Sequence, residues 1–188
     1  IDGVSLTTSA SAGVAVWPSD GQDFDALLQR ADTAMYRAKE EGRNGHRFFD
    51  ENMNRESLER LTIRQGLRKA LDAGEFRLHY QPQVDLASGE VVGFEALLRW
   101  MHPQWGLVSP ARFVPVAEES GLIVPIGSWV IQEACRQAAD WDRMGLPPVV
   151  MAVNLSAVQF KRGDLEAVLD AALSQAGLPA ERLELELT

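Results

Sequence analysis

The run Phe94-Glu95-Ala96-Leu97-Leu98-Arg99-Trp100 sets a carboxylate and a guanidinium four positions apart among apolar residues. Strand side chains alternate between faces, so Glu95, Leu97 and Arg99 would share one face and Phe94, Ala96 and Leu98 the other. The two charged groups then aim the same way, roughly 13 Å apart at ~3.3 Å per residue. An ordinary outward polar face would give the same alternation. The flanks, however, are apolar on both faces, which predicts a buried Glu95, and a buried acid needs a partner or a metal ion. Asn154, in Val153-Asn154-Leu155-Ser156, stands where the apolar run 149–153 ends. An amide there either caps the next helix or offers its carbonyl oxygen to a hard cation. Glu184 and Glu186 alternate with Leu183, Leu185 and Leu187, the pattern of a half-exposed strand. A β/α barrel draws its reactive groups from the C-terminal ends of several strands, and Glu95, Asn154 and Glu186 fall on three successive strands after the first. Their all-oxygen donors suit Mg²⁺ or Mn²⁺ and would serve zinc poorly.

The elements that must carry these residues are legible in the patterning. Glu75 opens a region of alternating elements in which Phe76 to Val84 and Glu90 to Trp100 read as strands. The turn at Ser88-Gly89 makes them a hairpin. Ala111 to Ser120 and Ile126 to Met144 read as helices and Val149 to Ser156 as a strand. Leu165 to Ala176 is a helix stopped by Gly177 and Pro179, and Arg182 to Thr188 is a strand. Strands alternating with helices of this length imply parallel β-α-β units. Before them, residues 51–73 form a polar helix ended by Gly74, with an imperfect apolar stripe of Leu58, Leu61, Leu67, Ala70 and Leu71. That stripe predicts a connector laid between domains rather than a core helix. In residues 1–50, Thr7 to Trp17 reads as a strand and Pro18-Ser19-Asp20-Gly21 as a turn. A helix capped by Asp23 and closed at Gly42 follows, then a short strand from His46 to Phe49.

Composition bounds the function. The chain has 188 residues and a net charge of −9, from 27 acidic and 18 basic side chains. That balance argues against DNA or RNA, which need a basic stripe to replace phosphate counterions. Residues 74–188 are the most acidic part, with fifteen acidic and eight basic groups. An anionic ligand there would have to be met by metal ions or a few placed arginines. No apolar run approaches the ~18 residues of a membrane span and the start is not a signal peptide, so no membrane contact is expected in this segment. One cysteine, Cys135, excludes an internal disulfide framework and multi-cysteine zinc sites, and it suits a reducing cytosol. His46, His79 and His102 lack metal-ligand spacing and read as surface or packing residues. No Walker or dinucleotide phosphate loop occurs.

Further residues cluster in order around Glu95-Ala96-Leu97-Leu98-Arg99-Trp100. Tyr80-Gln81-Pro82 precede it; His102-Pro103, Gly106, Pro110, Phe113-Val114-Pro115, Ala117-Glu118 and Gly121-Leu122-Ile123 follow. With Asn154-Leu155-Ser156 and Glu186-Leu187-Thr188 in the next two motif positions, residues 74–188 strongly resemble the EAL family of cyclic di-GMP phosphodiesterases. Residues 1–50 resemble the C-terminal part of a GGDEF diguanylate cyclase domain, through Ser11-Ala12-Gly13-Val14, Ala31-Asp32-Thr33-Ala34-Met35-Tyr36-Arg37-Ala38-Lys39 and Gly42-Arg43-Asn44. The resemblance implies an α/β chain: a partial GGDEF domain, a connector helix, and the N-terminal half of a (β/α) barrel whose first strand runs against the others. It further implies that Glu95, Asn154 and Glu186 ligate Mg²⁺ or Mn²⁺, that Arg99 takes a substrate phosphate, and that Gln81 lies close to the ligand. Two metal ions in that family activate a water that opens cyclic di-GMP to linear pGpG. Lys39 and Arg43 match GTP-phosphate contacts of active cyclases, or are the solvated end of a helix.

The family's Asp-Asp pair, lysine and later site residues would fall beyond Thr188. The chain therefore reads as a piece cut across a GGDEF-EAL tandem, expected to be inactive or incompletely folded alone. Its parent is expected in the cytoplasm or anchored to a membrane through other segments. An open half-barrel also leaves strand edges unpaired, which favours association, a homodimer being one form. Three readings of the parent remain: a metal-dependent phosphodiesterase, an EAL domain that binds cyclic di-GMP without cleaving it, and a scaffold that binds no nucleotide. The retained Glu95, Asn154, Glu186, Arg99 and Gln81 favour the first.

Overall fold

Gly13 occupies a place where no side chain fits: a Cβ there would meet the Ala31 backbone oxygen at 1.8 Å and the Met35 nitrogen at 2.2 Å. This close approach seats strand β1 (Ala12–Val14) on helix α1 (Phe24–Glu40), and β2 (His46–Phe48) returns parallel to β1. The computed structural model describes residues 8–40 and 42–187. Its chain divides into two units, residues 1–61 and 62–188. In the first, the strand expected from Thr7 to Trp17 contracts to Ala12–Val14, and Thr7 itself lies outside the described residues. Asp23 caps α1 as its sequence position predicts, Oδ1 accepting from the Ala26 amide at 2.8 Å. The ion pairs Arg37–Glu56 (3.0 Å) and Arg60–Glu40 (3.1 Å) tie the first half of helix α2 (Glu51–Ala70) to α1.

The second half of α2 corrects the connector reading. Ile63, Leu67 and Ala70 recur at helical spacing and are fully buried in the core of the second unit, whereas Leu58 and Leu61 are exposed. The stripe is genuine but occupies only half of the helix, so taking the segment as one stripe blurred its face.

That core lies between helices and one face of a mixed sheet. Strands β3 (Phe76–Val84) and β4 (Val91–His102) form the expected hairpin. The short β5 (Gly106–Val108), absent from the sequence reading, folds back antiparallel on the end of β4. Helices α3 (Pro110–Ser120) and α4 (Ile123–Arg143) follow, then β6 (Val150–Leu155), α5 (Ala157–Arg162), α6 (Leu165–Ala176), a 3₁₀ turn (Ala180–Arg182) and β7 (Leu183–Leu187). The strand order is β3-β4-β6-β7. Strands β4, β6 and β7 run parallel while β3 opposes them, so the first strand does run against the others.

Phe76, Trp100 and Phe113 centre the core, with ring centroids 5.7–6.3 Å apart, and the Trp100 indole N–H donates to Glu75 Oε2 at 2.8 Å. Cys135 is buried in α4 among these residues, and burial pushes its thiol up to about 11, as for an inert core cysteine. His102 stacks on Trp105 at 3.9 Å and its Nδ1 accepts from the Gln104 and Trp105 amides, so it is a packing histidine as expected.

Candidate functional site

Alternation and register decide what gathers on the sheet face turned away from the helices. Phe94, Ala96, Met151, Val153, Leu183 and Leu185 face the core. Glu95 on β4 stands opposite Gln81 on β3 and opposite Ala152 on β6; Asn154 stands opposite Glu186 on β7. Partners opposite one another share a face, and so do residues two apart along a strand. Gln81, Glu95, Leu97, Arg99, Asn154 and Glu186 therefore occupy one surface, across strands spaced about 4.8 Å apart. Asn154 and Glu186 fall near the C-terminal ends of their strands, where barrel folds place chemistry.

Glu95 is half-buried rather than buried, which corrects the sequence expectation. Phe94 and Ala96 on either side of it turn to the helix face, and its own face is the less covered one. The partner that its environment demanded is present: Asn154 Nδ2 donates to Glu95 Oε1 at 2.6 Å. An ionised carboxylate only accepts, so the amide must turn its NH₂ toward Glu95, and Asn154 Oδ1 is left as an acceptor. Asn154 is exposed and Glu186 half-buried. Arg99 is half-buried; Nη1 donates to the Leu98 carbonyl at 2.9 Å, and among the described residues it makes no ion pair.

Among the described residues no group of three or more His, Cys, Asp and Glu is close enough to hold a metal ion. What the face offers is two carboxylates with an amide oxygen between them, a donor set with the hardness of Mg²⁺ or Mn²⁺. The residues present fit such an ion in chemistry.

Beside Arg99 a cavity of about 230 Å³ opens, bounded by Leu97, Pro110, Val114, Glu118, Asn154 and Ser156. Sequence reasoning gave Glu118 and Ser156 no part in a site and did not consider Gln159, which also lines this cavity. Gln159 is buried against Gly127, where a Cβ would lie 2.1 Å from Gln159 Oε1. Their signal was faint: a polar residue on an otherwise apolar helix face becomes informative only once the partner helix is known. Exposed His79 shares the face of Gln81, two residues away. In the first unit Lys39 and Arg43 are exposed at and after the end of α1, with Arg43 at φ 61°.

Comparison with known proteins agrees with this architecture. The EAL domain model matches residues 64–188, and the model for the diguanylate cyclase GGDEF domain matches residues 1–45. The chain belongs to the EAL domain family, and the C-terminal part of a GGDEF domain precedes it. It is 48% identical over 180 residues to the Pseudomonas aeruginosa protein named bifunctional diguanylate cyclase/cyclic di-GMP phosphodiesterase MucR, covering 96% of this chain and 26% of that protein. It is 40% identical over 188 residues to cyclic di-GMP phosphodiesterase NbdA of the same organism, covering 100% of this chain and 24% of that protein. The chain thus spans about a quarter of these relatives. Among solved structures, the PaMucR phosphodiesterase in complex with c-di-GMP superposes with a TM-score of 0.63 at 46% identity, covering 66% of this chain and 50% of that one. No helix among the described residues is long and apolar enough to cross a membrane.

Proposed function

We propose that the protein carrying this chain is a metal-dependent phosphodiesterase that hydrolyses cyclic di-GMP to linear pGpG. The observation that carries the proposal is the co-facial set Glu95, Asn154 and Glu186, with Arg99 four residues beyond Glu95 on the same face and free of any carboxylate partner among the described residues. The names of the relatives and the ligand of the superposed structure supply the substrate.

In this reading Glu95, Asn154 and Glu186 hold Mg²⁺ or Mn²⁺. Bound there, the ions supply a lowered water pKa and neutralise charge on the phosphodiester. Arg99 offers two parallel N–H groups to a phosphate oxygen pair, which answers the problem of holding an anion in an acidic unit. Gln81, opposite Glu95, presents an amide to the ligand at the same level of the sheet. The Asn154–Glu95 hydrogen bond sets the carboxylate's direction before any ligand arrives, so little ordering remains for binding to impose.

The test is turnover of cyclic di-GMP by the complete protein in Mg²⁺ or Mn²⁺ and then in chelator, with the product separated by chromatography. Metal-dependent pGpG is the expected result. Glu95→Ala should abolish it while leaving the chain folded, because the loss is confined to the Asn154 hydrogen bond on an open face and removes no core volume. Tight binding of cyclic di-GMP without turnover would make the protein a receptor, and unchanged turnover in Glu95→Ala would remove Glu95 from the site.

A further inference from the structure

We infer that Glu118 and Ser156 form a positioning pair that sets where Asn154 stands against Glu95. The inference rests on the reading of Glu95 and Asn154 as metal-holding residues. Ser156 lies two residues after Asn154, at the junction where β6 passes into α5. Helix α5 has six residues, too few to hold a place on its own account. Its start is held instead by the buried Ser156 hydroxyl, which uses both of its capacities: it accepts from the Val158 amide at 3.2 Å and donates to Glu118 Oε1 at 2.6 Å. Hydrogen bonds from a hydroxyl to an ionised carboxylate are short and roughly twice as strong as neutral ones.

Glu118 is itself well anchored. It lies in the last turn of α3, whose Phe113, Val116 and Ala117 are buried in the core. The Gly121 amide donates to the Glu118 carbonyl at 3.2 Å and closes that helix. The bond to Ser156 thus connects a fixed helix to the exit of β6, across thirty-eight residues of sequence. Asn154 is itself exposed, between the buried Val153 and Leu155; beyond that packing and its pairing with β7, what holds the chain on the far side of Asn154 is Ser156.

The choice of a carboxylate is itself informative. Glu118 and Ser156 line the same cavity as Arg99 and Asn154, and a negative charge there works against an anionic ligand. An apolar pair could fill the same volume. A carboxylate is explained when its task is to fix a hydroxyl, and with it the adjoining strand end, in one orientation. Partners that orient the groups holding a metal typically change metal affinity ~10–100-fold when removed.

The test measures Mn²⁺ binding to the complete protein by the electron paramagnetic resonance of the free ion, beside turnover and thermal midpoints. Ser156→Ala and Glu118→Ala should each raise the Mn²⁺ dissociation constant at least ~10-fold. The double variant should lose no more than either single one, since both changes break one bond. Glu118→Gln keeps an oxygen that accepts from Ser156 and should stay within about threefold of wild type, well short of the ~10-fold loss of an outer partner. Lys161→Gly, which loosens α5 without touching the pair, should lower the thermal midpoint and leave the Mn²⁺ constant in place. Additive losses, a Glu118→Gln constant as weak as that of Glu118→Ala, or an unchanged constant in Ser156→Ala would each overturn the pair. Wild-type protein that binds Mn²⁺ but forms no pGpG would refute the phosphodiesterase while the variants still decide the pair. Wild-type protein that binds no Mn²⁺ would overturn both.

Discussion

Replacing Asn154 by aspartate tests whether the 2.6 Å bond to Glu95 is the structural centre of the site. The substitution keeps the shape of the side chain, removes the donor and sets a third carboxylate between Glu95, its hydrogen-bond partner, and Glu186 on β7. A hydrogen bond to a charged acceptor contributes about 1.5–3 kcal/mol. Two like charges at this range repel by about 1 kcal/mol in water and by about 4 kcal/mol in a partly screened site. Asn154 is exposed, so the lower repulsion applies, and Asn154→Asp should cost about 3 kcal/mol in metal-free protein at neutral pH. With a urea slope of about 2 kcal/mol per molar, the midpoint falls by about 1.5 M. A divalent cation reverses the sign of the interaction: saturating Mn²⁺ should recover more than half of the loss. Asn154→Ala, which removes the bond without adding charge, should lose about 2 kcal/mol and recover nothing. The assay is urea unfolding of the complete protein and both variants, in EDTA and in Mn²⁺. An Asn154→Asp protein as stable as wild type in EDTA would refute the geometry, and a deficit indifferent to Mn²⁺ would refute the donor set.

Other expectations can be checked separately. Gly13→Ala should cost more than about 3 kcal/mol, since the atoms its Cβ would meet, Ala31 O and Met35 N, are backbone and cannot swing aside; urea unfolding followed through the first unit reads this. At the tip of the β3–β4 hairpin, Asp85 Oδ1 accepts from the Ser88 amide (2.7 Å) and the Ser88 hydroxyl (2.9 Å), which hold its carboxyl below the usual carboxylate range. Its support of the turn is complete above about pH 4 and is lost as the pH falls through that lowered value. The Ser88 amide resonance, followed by pH titration, should therefore move at a lower pH than a free aspartate would dictate. Arg99→Lys should weaken cyclic di-GMP binding about tenfold, because an ammonium cannot reproduce the paired N–H geometry; calorimetry with equal affinities would remove Arg99 from phosphate contact.

Much of the second unit was legible because its signals are local. The β3–β4 hairpin follows from alternation broken at Ser88-Gly89, and α6 from its period and from Gly177, which takes φ 68° at its end. The same alternation put Glu95 with Arg99, and Glu184 with Glu186, on common strand faces before any fold was known. Residue order on adjoining strands is a different quantity. That Glu186 pairs with Asn154, and Glu95 with Ala152, depends on strand register, which contacts between segments far apart in sequence settle and no sequence window contains. Burial of Glu95 was misjudged for the same reason: composition measures how apolar the neighbours are, while the fold decides which face the helices cover. The half of α2 that joins the core, the β5 return on β4, and the meeting of Glu118 with Ser156 likewise arise only when distant segments pack. Sequence by itself therefore determined the longer elements, the family and the kinds of donor available. Tertiary structure decided which donors face one another, because that is fixed by contacts between residues far apart in the chain.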